Sequence, residues 1–215
     1  MSLLDQIEKE YEYGEPIFIA ELSCGKYSYN SVKAMLSKYV KKGFLKRYCQ
    51  GVYFRYQNTE FGDSCIDFDR LLERKYIKNG DEDVFGYYSG ITLLNQCGLT
   101  TQVPNTREIV SNNETCIKRT VTLNGREVIV RKSRFKIDKD NYKYYQFMNI
   151  MRYLSDYQID DFNERLTFIY KVWELDNEQF KEIAKKQSYY VKNNIRRFNY
   201  YNELAQQHQI IQPNN

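Results

Sequence analysis

The sequence predicts an α+β protein: a small helix-and-hairpin domain (1–58) precedes a mixed α/β domain (59–215) that is helical from about residue 142. Three features carry this. The N-terminal stretch holds apolar residues at helical spacing, followed by two short aromatic strands. Residues 107–136 hold three β-branched runs. The last third returns to helical period. With 215 residues, 42% hydrophobic and 28% charged, the chain is long and apolar enough to bury a real core.

In "LLDQIEK", Leu3, Leu4 and Ile7 stand at helical spacing and predict a first helix. Pro16 is suited to open a short second helix over "PIFIAEL". "SCGK" then breaks the pattern, with Gly25 as the turn residue. Ser28 is an N-cap residue type, and Tyr27 and Val32 have the spacing of a hydrophobic staple. A third helix should run from Tyr29 to Lys42 and stop at Gly43. Its dry face is Val32, Met35, Leu36, Tyr39 and Val40; the opposite face carries Asn30, Ala34, Ser37 and Lys41, flanked by Lys33 and Lys38. "FLKRY" and "VYFRY" follow, joined by "CQG", in which Gly51 suits the left-handed position of a hairpin loop. Helix, short helix, turn, helix, hairpin is the order of a winged helix-turn-helix.

Beyond residue 58, "DFDRLLERKYIK" reads as a helix ended by Asn79-Gly80, and "VFGYY" as a short strand. Ser89 is placed to cap a helix through "GITLLNQC" that Gly98 terminates. "REIVSN", "CIKRTVTL" and "REVIVRKSRF" read as strands, the last two joined by the two-residue hairpin signal Asn124-Gly125. Four helical segments follow, beginning near Tyr142, Asp161, Asn177 and Val191.

Much chemistry is excluded. The one histidine, His208, lies in a polar tail, so a Ser-His-Asp triad and a Cys/His zinc site both lack their parts. The nucleotide-loop patterns G-x-x-x-x-G-K-[ST] and G-x-G-x-x-G do not occur. Cys24, Cys49, Cys65, Cys97 and Cys116 are odd in number and widely spaced, which predicts buried, reduced thiols. The acidic N-terminus has no secretory pattern, and no apolar run approaches bilayer length, so a cytoplasmic protein without membrane contact is expected. No cofactor, metal or catalytic group is implied.

Charge placement points to a partner. Net charge is only +4, yet Lys26, Lys33, Lys38, Lys41, Lys42, Lys46, Arg47 and Arg55 fall between Glu21 and Glu60 with no acid among them. Such local asymmetry is the footprint of a polyanion ligand. In a helix-turn-helix the second helix of the motif enters the major groove. Tyr29 opens that helix; Asn30 and Ser37 are suited to base edges, and Ala34 to a thymine methyl. Lys33, Lys38 and Lys41 are suited to phosphates, with Lys46, Arg47 and Arg55 extending the contact from the wing. The hairpin aromatics Tyr48, Tyr53, Phe54 and Tyr56 are read mostly as core. A second basic face, Arg126, Arg131, Lys132 and Arg134, would serve nucleic acid, an acidic partner or solvent alike. A metal nuclease would need Glu-x-Lys on a strand; Glu127 and Lys132 are five apart, and Glu82/Asp83, Asp138/Asp140 and Asp160/Asp161 read as helix starts and loops.

"YYSGITLLNQCGLTTQVPNTREIVSNN" (Tyr87 to Asn113) resembles a block in the AbiEi-type antitoxins of type IV toxin–antitoxin systems. The matching positions are Ser89, Gly90, Leu94, Asn95, Gly98, Leu99, Thr100, Thr101, Gln102, Val103 and Pro104. "GFLKRYCQGVYF" resembles that family's wing, and the likeness covers about residues 1–135. It implies a winged helix that binds inverted repeats in double-stranded DNA of the operon's own promoter, as a monomer or dimer. It also implies that the C-terminal domain counters a nucleotidyltransferase-like toxin without requiring a stable complex. The alternative from the residues alone is a winged-helix regulator of other genes with a C-terminal dimerisation or effector domain. Physically, Gly98 supplies positive φ at a helix end, Leu99 the capping contact and Pro104 a fixed exit, with Gln102 placed to satisfy turn backbone.

Overall fold

The computed structural model describes residues 2–22 and 27–211, and the side chains of all of these but 156, 157, 202 and 204–211. The expected "SCGK" turn with Gly25, and the charges and thiols of Lys26 and Cys24, lie outside the described residues, as does the side chain of His208. Helices and strands are intermixed in the first two thirds and the last third is helical. The chain divides into two units, residues 1–75 with 122–126, and residues 76–121 with 127–215.

In the first unit, α1 (Leu3–Glu10) starts at a capping box in which Ser2 and Asp5 satisfy each other's backbone N–H. Strand β1 (Ile17–Phe18) leads directly into α2 (Ile19–Leu22), and α3 (Tyr29–Lys41) follows. The expectation of a helix from Pro16 is therefore corrected: Ile17 and Phe18 are extended and pair with Tyr53 and Val52. That pairing satisfies their backbone groups and fully buries Ile17, which outweighs the suitability of Pro16 as a helix start. Ser28 caps α3, its Oγ accepting from Ser31 N–H at 3.3 Å. Gly43 ends it at φ +77, with Phe44 N–H donating to Tyr39 C=O and Gly43 N–H to Val40 C=O, the paired bonds of a Schellman end.

Strands β2 (Lys46–Cys49) and β3 (Val52–Phe54) form the expected hairpin, with Gly51 at φ +79. The sheet order is β1-β3-β2. Leu3, Ile7, Ile17, Ile19, Leu22, Val32, Leu36, Leu45 and Tyr53 make one core under this sheet, with Tyr27 packed against it as the staple predicts. A boundary after residue 58 cuts through this unit. Past it come β4 (Asn58–Thr59), β5 (Gly62–Asp63) and α4 (Phe68–Tyr76). Ile66 and Leu71 share a second core with Val52 and Phe54, so burying the outer face of the hairpin requires the longer chain. Arg74 ties α4 down, donating to Pro16 C=O at 2.7 Å and pairing with Glu15 and Glu21.

The second unit begins with β6 (Lys78–Asn79), β7 (Asp83–Val84), β8 (Gly86–Tyr88) and α5 (Gly90–Gln96). Strands β9 (Arg107–Ser111), β10 (Lys118–Leu123) and β11 (Arg126–Lys132) complete a four-stranded sheet of order β10-β11-β9-β8. Here β9 runs parallel to β11 and antiparallel to β8. Asn124 and Gly125, both at positive φ, form the expected tight turn between β10 and β11. Five helices follow: α6 (Tyr142–Tyr153), α7 (Asp156–Asp161), α8 (Asn163–Val172), α9 (Asn177–Lys185) and α10 (Tyr189–Ile211). They share a core with α5 centred on Phe147, whose ring lies 5.4–5.6 Å from those of Tyr170, Phe180 and Phe198.

Two details of the segment 89–104 emerge. Gly98 and Leu99 repeat the paired bonds of a Schellman end on Asn95 and Leu94, and Leu99 is buried against Leu94, as the sequence predicts. Ser89 has the backbone of an N-cap but its hydroxyl makes no cap bond; it is buried without a hydrogen-bond partner among the described residues. The first N–H of α5, that of Gly90, is instead met by Asn149 Oδ1 on α6 at 3.1 Å.

The thiols do not share one environment. Cys97 is buried, and burial pushes its thiol up to about 11, which keeps it protonated and inert. Cys65 and Cys116 are exposed, a correction to the expectation of buried thiols. Among the described residues no helix is long and apolar enough to cross a membrane.

Candidate nucleic-acid interface

Helix α3 separates into the two faces its sequence predicts. Val32 and Leu36 are fully buried, while Met35, Tyr39 and Val40 pack at the edge of the same core. Tyr29, Asn30, Lys33, Ala34, Ser37, Lys38 and Lys41 are all exposed. The helix carries no acid, so nothing on it neutralises the three lysines. Its C-terminal Schellman end leaves Lys38 and Lys41 in the last turn, where cations also favour the helix dipole.

The hairpin and its flanks are less uniform. Arg47 is exposed and its Nε donates to Cys49 C=O at 3.3 Å. Lys46 pairs with the Asp63 carboxylate and sits 4.5 Å from the centre of the Tyr56 ring. Arg55 is committed within the fold: its Nη1 donates to Glu8 C=O at 3.1 Å and Tyr11 C=O at 2.8 Å, and its guanidinium stacks on Tyr13. The Glu8 carbonyl lies in the last turn of α1 and the Tyr11 carbonyl on its C-cap residue, where no intrahelical donor serves them. Replacing Arg55 with alanine is expected to cost about 2 kcal/mol of stability, read as a lower melting temperature, because two charge-assisted bonds and a cation–π contact are lost. The aromatic rings hold the hairpin in place. Tyr53 and Phe54 are buried, Tyr48 and Tyr56 half-buried, and Tyr48 Oη donates to Leu123 C=O at 3.2 Å.

The second basic stretch is divided between the two units. Arg126 belongs to the first unit, its guanidinium 4.9 Å from the centre of the Phe68 ring. Arg131, Lys132 and Arg134 belong to the second unit and line a cleft of about 700 Å³ between β11, the loop after it, and α6. Arg152, from α6, is a fourth cation in that cleft. Sequence reading missed it because the strand run and α6 are separated in the chain; only packing brings them together. Arg131 Nε pairs with Glu108 at 2.5 Å, and Tyr153 Oη donates to the same carboxylate at 3.0 Å. Burial, and then the adjacent Glu108 carboxylate, push the Tyr153 phenol up. Lys132, Arg134 and Arg152 pair with no carboxylate of the described residues.

Asp138/Asp140 and Glu82/Asp83 lie in loops or short strands as expected, whereas Asp160 and Asp161 end α7 rather than start a helix, a correction to that expectation. Asp138 Oδ1 accepts from the N–H groups of Asp140 and Asn141 at 3.1 and 3.0 Å, just ahead of α6. Asp160 pairs with Arg197, and that guanidinium holds its carboxyl below the usual range. Glu82 pairs with Lys139. Among the described residues no group of three or more His, Cys, Asp and Glu is placed to hold a metal ion. Glu114, buried after β9, accepts from Thr115 and Cys116 N–H and from Arg119, a turn anchor that sequence reading also missed. Comparison of the chain with protein-family models gives no match, and neither does comparison with curated protein sequences.

Proposed function

We propose that the first unit is a winged helix-turn-helix that binds double-stranded DNA through α3, and that the protein is an antitoxin-type transcriptional autorepressor resembling AbiEi. The observation that carries the DNA reading is the exposed, acid-free face of Asn30, Lys33, Ala34, Ser37, Lys38 and Lys41. It lies on the helix that precedes the β-hairpin, in a unit with sheet order β1-β3-β2. Such a face matches the needs of a groove: small and amide side chains for base edges, flanked by lysines for phosphates. Inverted repeats would be read by one copy on each half-site. Lys46, ion-paired with Asp63, and Arg55, held by the Glu8 and Tyr11 carbonyls, contribute less than the exposed Arg47 and the α3 lysines.

The antitoxin part rests on the sequence resemblance of residues 87–113 and of the hairpin segment. Co-expression tests it. The product of the adjacent gene, expressed alone, is expected to stop growth, and expression together with this protein to restore it. A harmless neighbour, or one that stays toxic beside this protein, would overturn the antitoxin reading and leave DNA binding standing. The cleft in the second unit favours a second reading, a regulator of other genes whose second unit senses an effector.

A further inference from the structure

We propose that the cleft of the second unit binds a nucleoside polyphosphate. The inference rests on that cleft alone and not on the DNA reading of α3.

A volume of about 700 Å³ lies within the range of small-ligand sites and suits a ligand of nucleotide size. Three groups of side chains meet there. Lys132, Arg134 and Arg152 supply positive charge without a carboxylate partner among the described residues, and no acid lines the cleft. Arg131 is held from behind by Glu108, which fixes its guanidinium as a donor without leaving a further full charge. Three uncompensated cations beside one fixed guanidinium suit a chain of two or three phosphate groups better than a single carboxylate.

A flat apolar surface lies beside these charges. Phe135 and Tyr145 stack with centroids 5.5 Å apart and ring planes within 5°, and both line the cleft. A stacked pair of this kind offers a platform that a base extends, a contact worth about 1–3 kcal/mol per base. Two side-chain amides complete the lining, each using one end inside the protein. Asn149 Oδ1 accepts from Gly90 N–H, and Gln187 Nε2 donates to Ile183 C=O at 3.3 Å. Their other ends, a donor on Asn149 and an acceptor on Gln187, suit the mixed edge of a base.

Helix α5 packs closely behind the cleft. A Cβ on Gly90 would stand 2.7 Å from Glu108 Oε2, so glycine here lets α5 approach the carboxylate that orients Arg131 and Tyr153. Sites whose charged groups are held in advance lose less on binding.

Isothermal titration of the full chain with ATP and GTP tests this. Adenosine, inorganic tripolyphosphate and a short single-stranded oligonucleotide are the comparison ligands. Either nucleotide is expected to bind in the micromolar range, with adenosine and tripolyphosphate each at least tenfold weaker. Lys132→Glu with Arg152→Glu, both exposed, should weaken nucleotide binding at least tenfold with an unchanged melting temperature. Tripolyphosphate binding as tightly as nucleotide would overturn the proposal, since the cleft would then read charge alone. So would binding of the oligonucleotide without the nucleotides, or no nucleotide binding up to about 1 mM. Nucleotide affinity unchanged by the double reversal would overturn it as well, because the ligand would then sit elsewhere.

Discussion

If α3 reads DNA as proposed, exchanging Lys38 and Lys41 together for glutamate is expected to abolish binding to the promoter of the protein's own operon, a loss on the order of 100-fold or more. Both side chains are exposed in the last turn of α3 and pair with no carboxylate of the described residues. On the proposed DNA reading, the reversal would remove two phosphate contacts and add two repulsions, so its effect should be largest at low salt. The slope of log affinity against log salt should become shallower by about 2, since each neutralised phosphate contributes roughly 0.9. Stability should change little, because the only folded-state loss is a favourable helix-dipole interaction of about 0.3–1 kcal/mol per charge. Fluorescence anisotropy over a salt series, with a melting curve for each variant, reads both. Unchanged affinity with an intact fold would remove α3 as the DNA reader.

The second large effect is structural. Gly86→Ala is expected to destabilise the second unit by about 3 kcal/mol or more, the range reserved for a named steric conflict. A Cβ at this position would stand 2.1 Å from Tyr76 C=O and 2.7 Å from Val110 C=O. Both are backbone atoms, so no rotamer change relieves the clash; β8 would have to move away from β9, to which Gly86 pairs through Ser111. A fall of roughly 10 °C in melting temperature corresponds to that loss in a domain of this size. Gly80→Ala is the comparison. Its φ of +77 is strained for alanine but a Cβ there meets nothing within 4 Å, so it should cost only about 1–2 kcal/mol. Equal melting temperatures for the two variants would show that β8 accommodates the methyl group and that the close approach does not hold the sheet.

The sequence by itself determined the features that are local. Ser28, Gly43 and the Val32–Leu36 stripe set both ends of α3 and its dry face, because capping and helical period act over a few residues. Gly51, Asn124-Gly125 and the Gly98–Leu99 end were legible for the same reason: a positive φ has a residue preference that can be read in place. Only tertiary structure decided the rest. Ile17 and Phe18 became a strand because the β3 edge lies beside them. Arg55 became a lock on α1, and Lys46 a partner of Asp63, because folding brought carbonyls and a carboxylate to charges that look free in the sequence. Arg152 joined Arg131, Lys132 and Arg134 in one cleft because α6 packs beside β11. Gly86 states the distinction most simply. Its need for a bare Cα arises from two carbonyls, ten and twenty-four residues away, and a pattern of neighbouring residues holds no trace of a steric limit set by distant backbone.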